Sequence, residues 1–189
     1  MKRIYSAILL LVIASTPALS QTYVGAQLAL GIPAGEFSND YQIGYGGSAQ
    51  FLYNLVEDNL WIEGELGFLY FGYSSEIKED QSGHLQSIPL LASIRYELSK
   101  GLFRPYLGGS AGIHIATRKI ETTTPVGASQ ASRSESSLGV AILGGFLYPI
   151  TQTISLDVKA AYHIVLFEDV FDTPSFLVVK AGIVLPIQF

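Results

Sequence analysis

From Thr22 onward, apolar and polar residues alternate with a period of two over segments of about ten residues. Successive side chains on a strand point to opposite faces, so this pattern predicts β-strands with one apolar face. Eight such segments follow one another, at about 22–30, 45–55, 60–73, 86–98, 105–118, 138–150, 153–166 and 176–189. The third is the clearest. Leu60, Ile62, Leu66, Phe68 and Tyr70 share one face, while Glu63 and Glu65 lie opposite. The fourth sets Ile88, Leu90, Ala92, Ile94, Tyr96 and Leu98 against Ser87, Ser93, Arg95 and Glu97. No sustained helical periodicity and no run of apolar residues long enough for a membrane helix interrupts the series.

The connections sort by length. Residues 56–59, 99–103 and 151–152 are short; 31–44, 74–85, 119–137 and 167–175 are longer and polar. Short turns at one end and long loops at the other suit an all-β, eight-stranded antiparallel up-and-down transmembrane β-barrel. A soluble lipocalin-like carrier is the inside-out competitor, with its apolar face around a ligand and its charged face in water.

Three features favour the membrane. The polar faces carry only about one charge per strand, with Gly, Ala and Ser frequent, whereas a water-facing surface is roughly 25–35% charged. Aromatic residues gather at strand ends and predict interfacial girdles. They are Tyr53, Trp61, Tyr96, Tyr106, Tyr148 and Phe189 at the short-turn end, and Tyr45, Tyr70, Tyr73 and Phe176 at the other. The polar faces also balance their charges. Glu63, Glu65 and Asp157 stand against Arg95, Lys159 and Lys180, which predicts a luminal polar network. Glu63 and Glu65 lie at a similar depth to Arg95 on the next segment, so pairing between them is expected. Such charges need partners because burial without them is expensive.

Composition agrees with this and closes other options. The 189 residues are 49% hydrophobic and 14% charged, with 19 Gly, 11 Tyr and no Cys. Disorder needs more charge and fewer aromatics, and a disulfide scaffold needs cysteine. The net charge of −5 argues against nucleic acid as a partner. At the N-terminus, Lys2 and Arg3 precede an apolar run, residues 7–14, and then Thr16-Pro17 and Ala18-Leu19-Ser20. That order predicts a signal peptide over 1–20, cut before Gln21, and a barrel domain over 21–189. Removing residues 1–20 takes away two cations and no acid, so the net charge falls from −5 to −7.

Candidate chemistry is sparse. An eight-stranded lumen has room for little beyond its own side chains, and Leu52, Leu69, Phe71 and Tyr106 are expected inside it. The ion-pair cluster then reads as a static polar plug rather than a gate. His84 falls in a polar loop; His114 shares the inner face with Ser110, two inward positions away and too far for a nucleophile–base pair. His163 faces inward with Lys159 and Asp157 and reads as a member of the polar network. No enzymatic activity, cofactor or metal ligand set is expected. In the loops, Phe37, Tyr41, Phe167 and Phe171 are the best anchors for a contact surface, because the stretch 122–137 offers only Arg133 among hot-spot residue types.

Three stretches carry a family resemblance. Ile32-Pro-Ala-Gly-Glu-Phe37 resembles a first outer loop, and Ile88-Pro-Leu-Leu91 with Arg104-Pro-Tyr-Leu-Gly-Gly-Ser-Ala-Gly112 resembles a fourth-to-fifth strand hairpin. Lys180-Ala-Gly-Ile-Val-Leu-Pro-Ile-Gln-Phe189 resembles a C-terminal assembly signal, with Lys180, Gly182, Leu185, Ile187 and Phe189 in its pattern. The chain is thus similar to the eight-stranded bacterial outer-membrane β-barrel family, the OmpA/OmpX-like and OmpW-like group. Pro186 departs from that pattern and leaves the register of the closing strand open. The resemblance implies a location in the outer membrane of a Gram-negative envelope and two partners, the lipid bilayer and the barrel-assembly machinery. It implies a structural or surface-interaction role, with a narrow channel for small or hydrophobic solutes as the alternative. No cell-wall-binding domain is expected after Phe189, and no loop partner is identified.

Overall fold

The computed structural model describes residues 22–56, 59–74, 81–124, 127–166 and 174–187. Eight strands close into an antiparallel barrel in chain order: β1 (Thr22–Ala34), β2 (Gly44–Val56), β3 (Leu60–Gly72), β4 (Gln81–Glu97), β5 (Arg104–Thr124), β6 (Gly127–Pro149), β7 (Ser155–Leu166) and β8 (Ser175–Ile187). The seam between β8 and β1 is regular from Ala34↔Ser175 to Thr22↔Ile187, with Pro186 opposite Tyr23 near its end. Proline's missing N–H is tolerated there because the ladder is about to finish.

The alternation read from the sequence sets which face each residue takes. Leu28, Leu66, Leu90, Ile142 and other aliphatics lie exposed on the outside, while Gln27, Gln50, Glu63, Arg95, Asp157 and Lys159 are buried within. The outside of the barrel wall is therefore apolar and its inside mixed, the inverse of a soluble carrier. None of the helices among the described residues is long and apolar enough to cross a membrane.

The girdle expectation needs correcting at four aromatics. Trp61, Tyr106 and Phe176 are buried inside the barrel. Tyr73 turns inward as well, stacking on Tyr41 at 4.9 Å between ring centroids. Proximity to a strand end placed them at an interface, but strand parity decides which way a ring points, and parity sends these in. Tyr45, Tyr96 and Tyr148 do face outward. Phe189 lies outside the described residues.

A second correction concerns the loops. Strand β4 begins at Gln81, and β5 and β6 stay paired up to Thr124↔Gly127, so most of 119–137 is strand rather than loop. By contrast, β3 last pairs with β4 at Gly72↔His84, and β6 with β7 at Leu138↔Leu166. The upper parts of β4, β5 and β6 thus stand above the rim as a three-stranded sheet. The sequence 121–137 of this sheet, rich in Ser, Thr and Ala, carries no apolar alternation, so the period-two signal vanishes although Thr still favours extended backbone.

Candidate functional site

The lumen is built in three layers. In the middle, the inward positions of β3, β4, β7 and β8 gather charged groups from opposite walls. From β7, the Lys159 ammonium reaches across to β3, where it hydrogen-bonds the Glu63 carboxylate and donates to Glu65 Oε2 at 2.9 Å, and to β2, where it donates to Gln50 Oε1 at 3.3 Å. Lys180, its register partner on β8, pairs with the other oxygen of Glu65. Arg95 lies 3.5 Å from Glu63 and 3.7 Å from Asp157. Asp157 accepts hydrogen bonds from Tyr106 Oη at 2.6 Å, Gln50 Nε2 at 2.7 Å and Gln27 Nε2 at 3.1 Å.

All six charged residues singled out in the sequence therefore meet in one cluster. Arg95 pairs with Glu63 but not with Glu65, whose partners are the two lysines across the barrel. Four contributors were not singled out. Gln27 and Gln50 carry hydrogen bonds to Asp157, and Glu97 extends the chain of charges to Arg95 at 3.8 Å and Arg104 at 3.7 Å. Tyr106, expected as a girdle aromatic and a luminal filler, is an Asp157 donor. Inward parity was the available signal for each; the two glutamines carry no charge to mark them. Burying these charges is tolerable because every one is paired.

Below the belt, toward the short turns, Leu52, Trp61, Tyr106, Leu143, Leu147, Ala161 and Val184 form an apolar layer. Trp61 packs edge-on against Tyr23 at 5.5 Å and under the Arg95 guanidinium, which also lies 4.6 Å from the Tyr106 ring centroid. The Tyr106 ring fits because Gly145 on β6 has no side chain: a Cβ there would stand 2.6 Å from the phenol oxygen.

Above the belt lies a second apolar layer containing Leu69, Phe71, Leu85, Ala116, Val165, Phe176 and Val178. It is roofed by the first outer loop. Gly35, at φ 59°, turns the chain into a helical turn, Phe37–Asp40, with a backbone that favours glycine. Phe37 then packs on Phe71 at 5.4 Å and Phe176 at 6.0 Å, and Tyr41 is buried beside Tyr73. Burial holds the Tyr41 hydroxyl protonated well above its ordinary pKa. Phe37 and Tyr41 are thus roof residues rather than outward contact anchors, because their rings bury more apolar area against the lumen than in water. Phe167 and Phe171 lie outside the described residues.

The two inward histidines belong to this upper layer. His163 stacks on Phe176 at 5.2 Å and meets His114 edge-on at 5.6 Å. Neither ring nitrogen of His163 finds a hydrogen-bond partner among the described residues, so it is not part of the polar network. Nδ1 of His114 lies 3.5 Å from Ser87 Oγ, on the neighbouring β4, and not in a pair with Ser110. His84 is on a strand instead of in a loop, facing outward and stacked on Tyr70 at 5.0 Å. The described residues contain no group of three or more His, Asp or Glu fit to hold a metal ion.

The lumen leaves little free space at the belt. A void of about 10 Å³ lies beneath it, lined by Trp61, Arg95 and Arg104 among others. Another of about 10 Å³ lies beside Glu65, His163, Lys180, Gly67 and Pro89. Each has room for about one water. The second touches the one place where the β3–β4 ladder lapses: between Leu66↔Leu90 and Leu69↔Ser87 no pairing is made. Pro89 has no N–H to offer, and its ring crowds Gly67, where a Cβ would stand 2.9 Å away.

Comparison with known proteins agrees with this architecture. The family described as outer membrane protein beta-barrel domain matches residues 6–183. No match is found among curated proteins. Among solved structures, a major outer membrane protein from Thermus thermophilus superposes with a TM-score of 0.64 at 11% identity, covering 88% of this chain and 99% of its own. Neisserial surface protein A gives 0.60 at 19% identity, with 87% and 96% covered. The outer membrane protease OmpT of Escherichia coli gives 0.54 at 9% identity, with 89% and 96% covered. At these identities the likeness is one of fold.

Proposed function

The chain belongs to the outer membrane protein beta-barrel domain family, and from that premise we propose that it is a non-enzymatic integral protein of the bacterial outer membrane whose closed barrel serves a structural or surface-interaction role. One observation carries this reading. The belt of paired charges is held between two apolar layers, with voids no larger than about 10 Å³ among those beside it. An ion crossing such a lumen would have to break buried salt bridges and pass two dry layers, each step costing several kcal/mol. The lumen then works as a core that stiffens the wall, and what contacts the outside world is the rim with its projecting sheet.

The test is a planar-bilayer recording from pure refolded protein, in which no steady, sizeable conductance is expected. Persistent open-channel current that disappears in the Lys159→Met variant would overturn the closed-lumen reading. The neighbour OmpT is by its name a protease, so the fold does not itself exclude catalysis. The non-enzymatic reading rests on the histidines: His114 Nδ1 lies 3.5 Å from Ser87 Oγ, but its Nε2 has no hydrogen-bond partner among the described residues, so no carboxylate orients the ring as the third member of a triad.

A second reading, a narrow conduit for small or hydrophobic solutes, draws support from the lapse in the β3–β4 ladder at Gly67 and Phe68, opposite Pro89 and Ile88. A wall that lacks pairing there is the cheapest place to open sideways. Uptake of a small apolar solute into vesicles, lost when Pro89→Ala restores a donor, would favour this reading over the first.

Biogenesis follows the same premise. Residues 1–20 serve as a cleaved export signal, and the closing strand with Lys180, Gly182, Leu185, Ile187 and Phe189 is read by the barrel-assembly machinery. N-terminal sequencing of the membrane-borne protein should begin at Gln21, and deleting Phe189 should impair assembly.

A further inference from the structure

The two inward histidines sit directly under the roof. His163 on β7 lies between its register partners, Ala141 on β6 and Phe176 on β8. Its ring stacks flat on Phe176, and Phe37 of the roof packs on that same Phe176 at 6.0 Å. His114 meets His163 edge-on at 5.6 Å and fits against Gly139, where a Cβ would stand 2.6 Å from its ring. Both histidines are buried, and Nε2 of His114 and both nitrogens of His163 lack a hydrogen-bond partner among the described residues. The charged groups that act on the pair are Lys180 on β8, Lys159 on β7 and Glu65 on β3. Glu65 is already shared by the two lysines. From β4 comes the Ser87 hydroxyl, 3.5 Å from His114, and from β6 only Gly139 and Ala141. A positive imidazole here would be a third cation to one carboxylate, in a layer of Phe, Val and Leu.

We propose that this histidine pair is an acid-released latch on the roof: the Phe37–Asp40 turn stays down at neutral pH and lifts from the mouth when the surroundings acidify. Histidine is the side chain whose charge changes on mild acidification. The closed layer has no place for that charge, because burying a charge without a partner is expensive. The roof can give without unpairing a strand. It turns at Gly35 and is tied on its far side by two backbone hydrogen bonds, from Ser74 N–H to Asp40 O and from Gln42 N–H to Gly72 O, both 2.9 Å. Between those points Phe37 packs on Phe71, Phe176 and Tyr41 through its ring, while Ser38 and Asn39 are exposed. Swinging Phe37 away brings water to Phe176 and the imidazole stacked beneath it. Each imidazole that takes a proton only in the open form shifts the balance toward that form about tenfold per pH unit. Two together shift it about a hundredfold. The belt lies below the pair and is not part of the latch, so what opens is an outer vestibule and not a pore.

The chain has no cysteine, so Asn39→Cys on the roof and Ser132→Cys on the projecting sheet give two exposed positions for spin labels. Distances between the labels are read by pulsed electron–electron resonance on the refolded barrel in phosphatidylcholine nanodiscs, from pH 7.5 to pH 4.5. One distance is expected at pH 7.5. At pH 4.5 a second, broader population is expected, and it should vanish on return to pH 7.5. The ratio of the two should change about a hundredfold per pH unit through the transition, and about tenfold in His163→Phe or His114→Phe alone. In the double variant His114→Phe/His163→Phe the distance should not respond. Glu36 and Asp40, the two acids of the roof, are present in every variant, so the double variant is the reference for their effect. Heat-modifiable migration on a gel verifies folding; should the double variant fail to fold, the slopes of the two single variants decide. An unchanged distance across the pH range with both histidines present, or the same slope in the histidine variants, would overturn the proposal. None of these outcomes depends on whether the lumen conducts.

Discussion

Lys159 and His163 sit on the same face of β7, two inward positions apart, yet they live in opposite chemical worlds. The lysine ends among two glutamates and a glutamine from the far wall. The histidine lies flat against Phe176 with neither nitrogen partnered among the described residues. Both are polar residues at luminal positions, and strand parity treats them alike. What separates the charged belt from the histidine layer is what the other seven strands bring to the same height. At Lys159 they bring carboxylates and amides. At His163 they bring phenylalanine, valine and leucine, under an aromatic roof. Polar character on an inward face therefore has no fixed energetic meaning in a narrow barrel: satisfied, it is a clasp, and unsatisfied, it is a tolerated cost.

Substitutions can break this contrast. The largest effect is expected at the belt. Lys159→Met leaves two buried carboxylates short of a cation and should cost about 3–5 kcal/mol, measured by urea unfolding of the barrel in lipid vesicles. Replacing Lys180 and Glu65 together by leucine should cost clearly less than replacing Lys180 alone, since the pair leaves no orphaned charge. A double variant as damaged as the single one would deny that the pair acts as a unit. Next comes Tyr106→Phe, which removes a charge-assisted hydrogen bond to Asp157 and should cost about 1.5–3 kcal/mol. Asp157 keeps its two glutamine donors, so the loss is smaller than at Lys159.

At the histidine layer the sign should reverse. His163→Phe keeps a stacked ring against Phe176 and removes two unpartnered nitrogens, so stability should rise by about 1 kcal/mol. A loss of that size in the same unfolding assay would mean that His163 has a partner after all. The smallest effect is expected outside. Lys119→Gln, at the rim, should change stability by no more than about 0.5 kcal/mol in phosphatidylcholine. A larger loss there would make Lys119 part of the scaffold.

Much of the wall was legible because alternation is a local steric signal. Leu60, Ile62 and Leu66 announce one face and Glu63 and Glu65 the other, and lipid outside demands an unbroken apolar band. The aromatics were harder. Trp61 and Tyr106 stand near strand ends, which suggested girdles, but they occupy inward positions and fill the lower layer. Their enclosure by Arg95, Gly145 and Val184 comes from three different strands. The tall β4–β6 sheet was illegible for another reason. Where a stretch carries no apolar alternation, no periodicity marks a strand, and Thr122-Thr-Thr124 reads equally well as loop.

By itself, then, the sequence determined the strands within the membrane, the face each residue takes, and the need for luminal charges of both signs. It could not determine that Glu65 would meet Lys159 and Lys180, whereas His163 and Phe176 are register partners on the β7–β8 ladder. The contacts of Glu65 join residues 94 and 115 positions apart, across a lumen whose geometry depends on all eight registers at once. A neighbour on the same ladder is set by one pairing, but a neighbour across the barrel is set by closure. Only the closed tertiary structure fixes which inward side chains share a height.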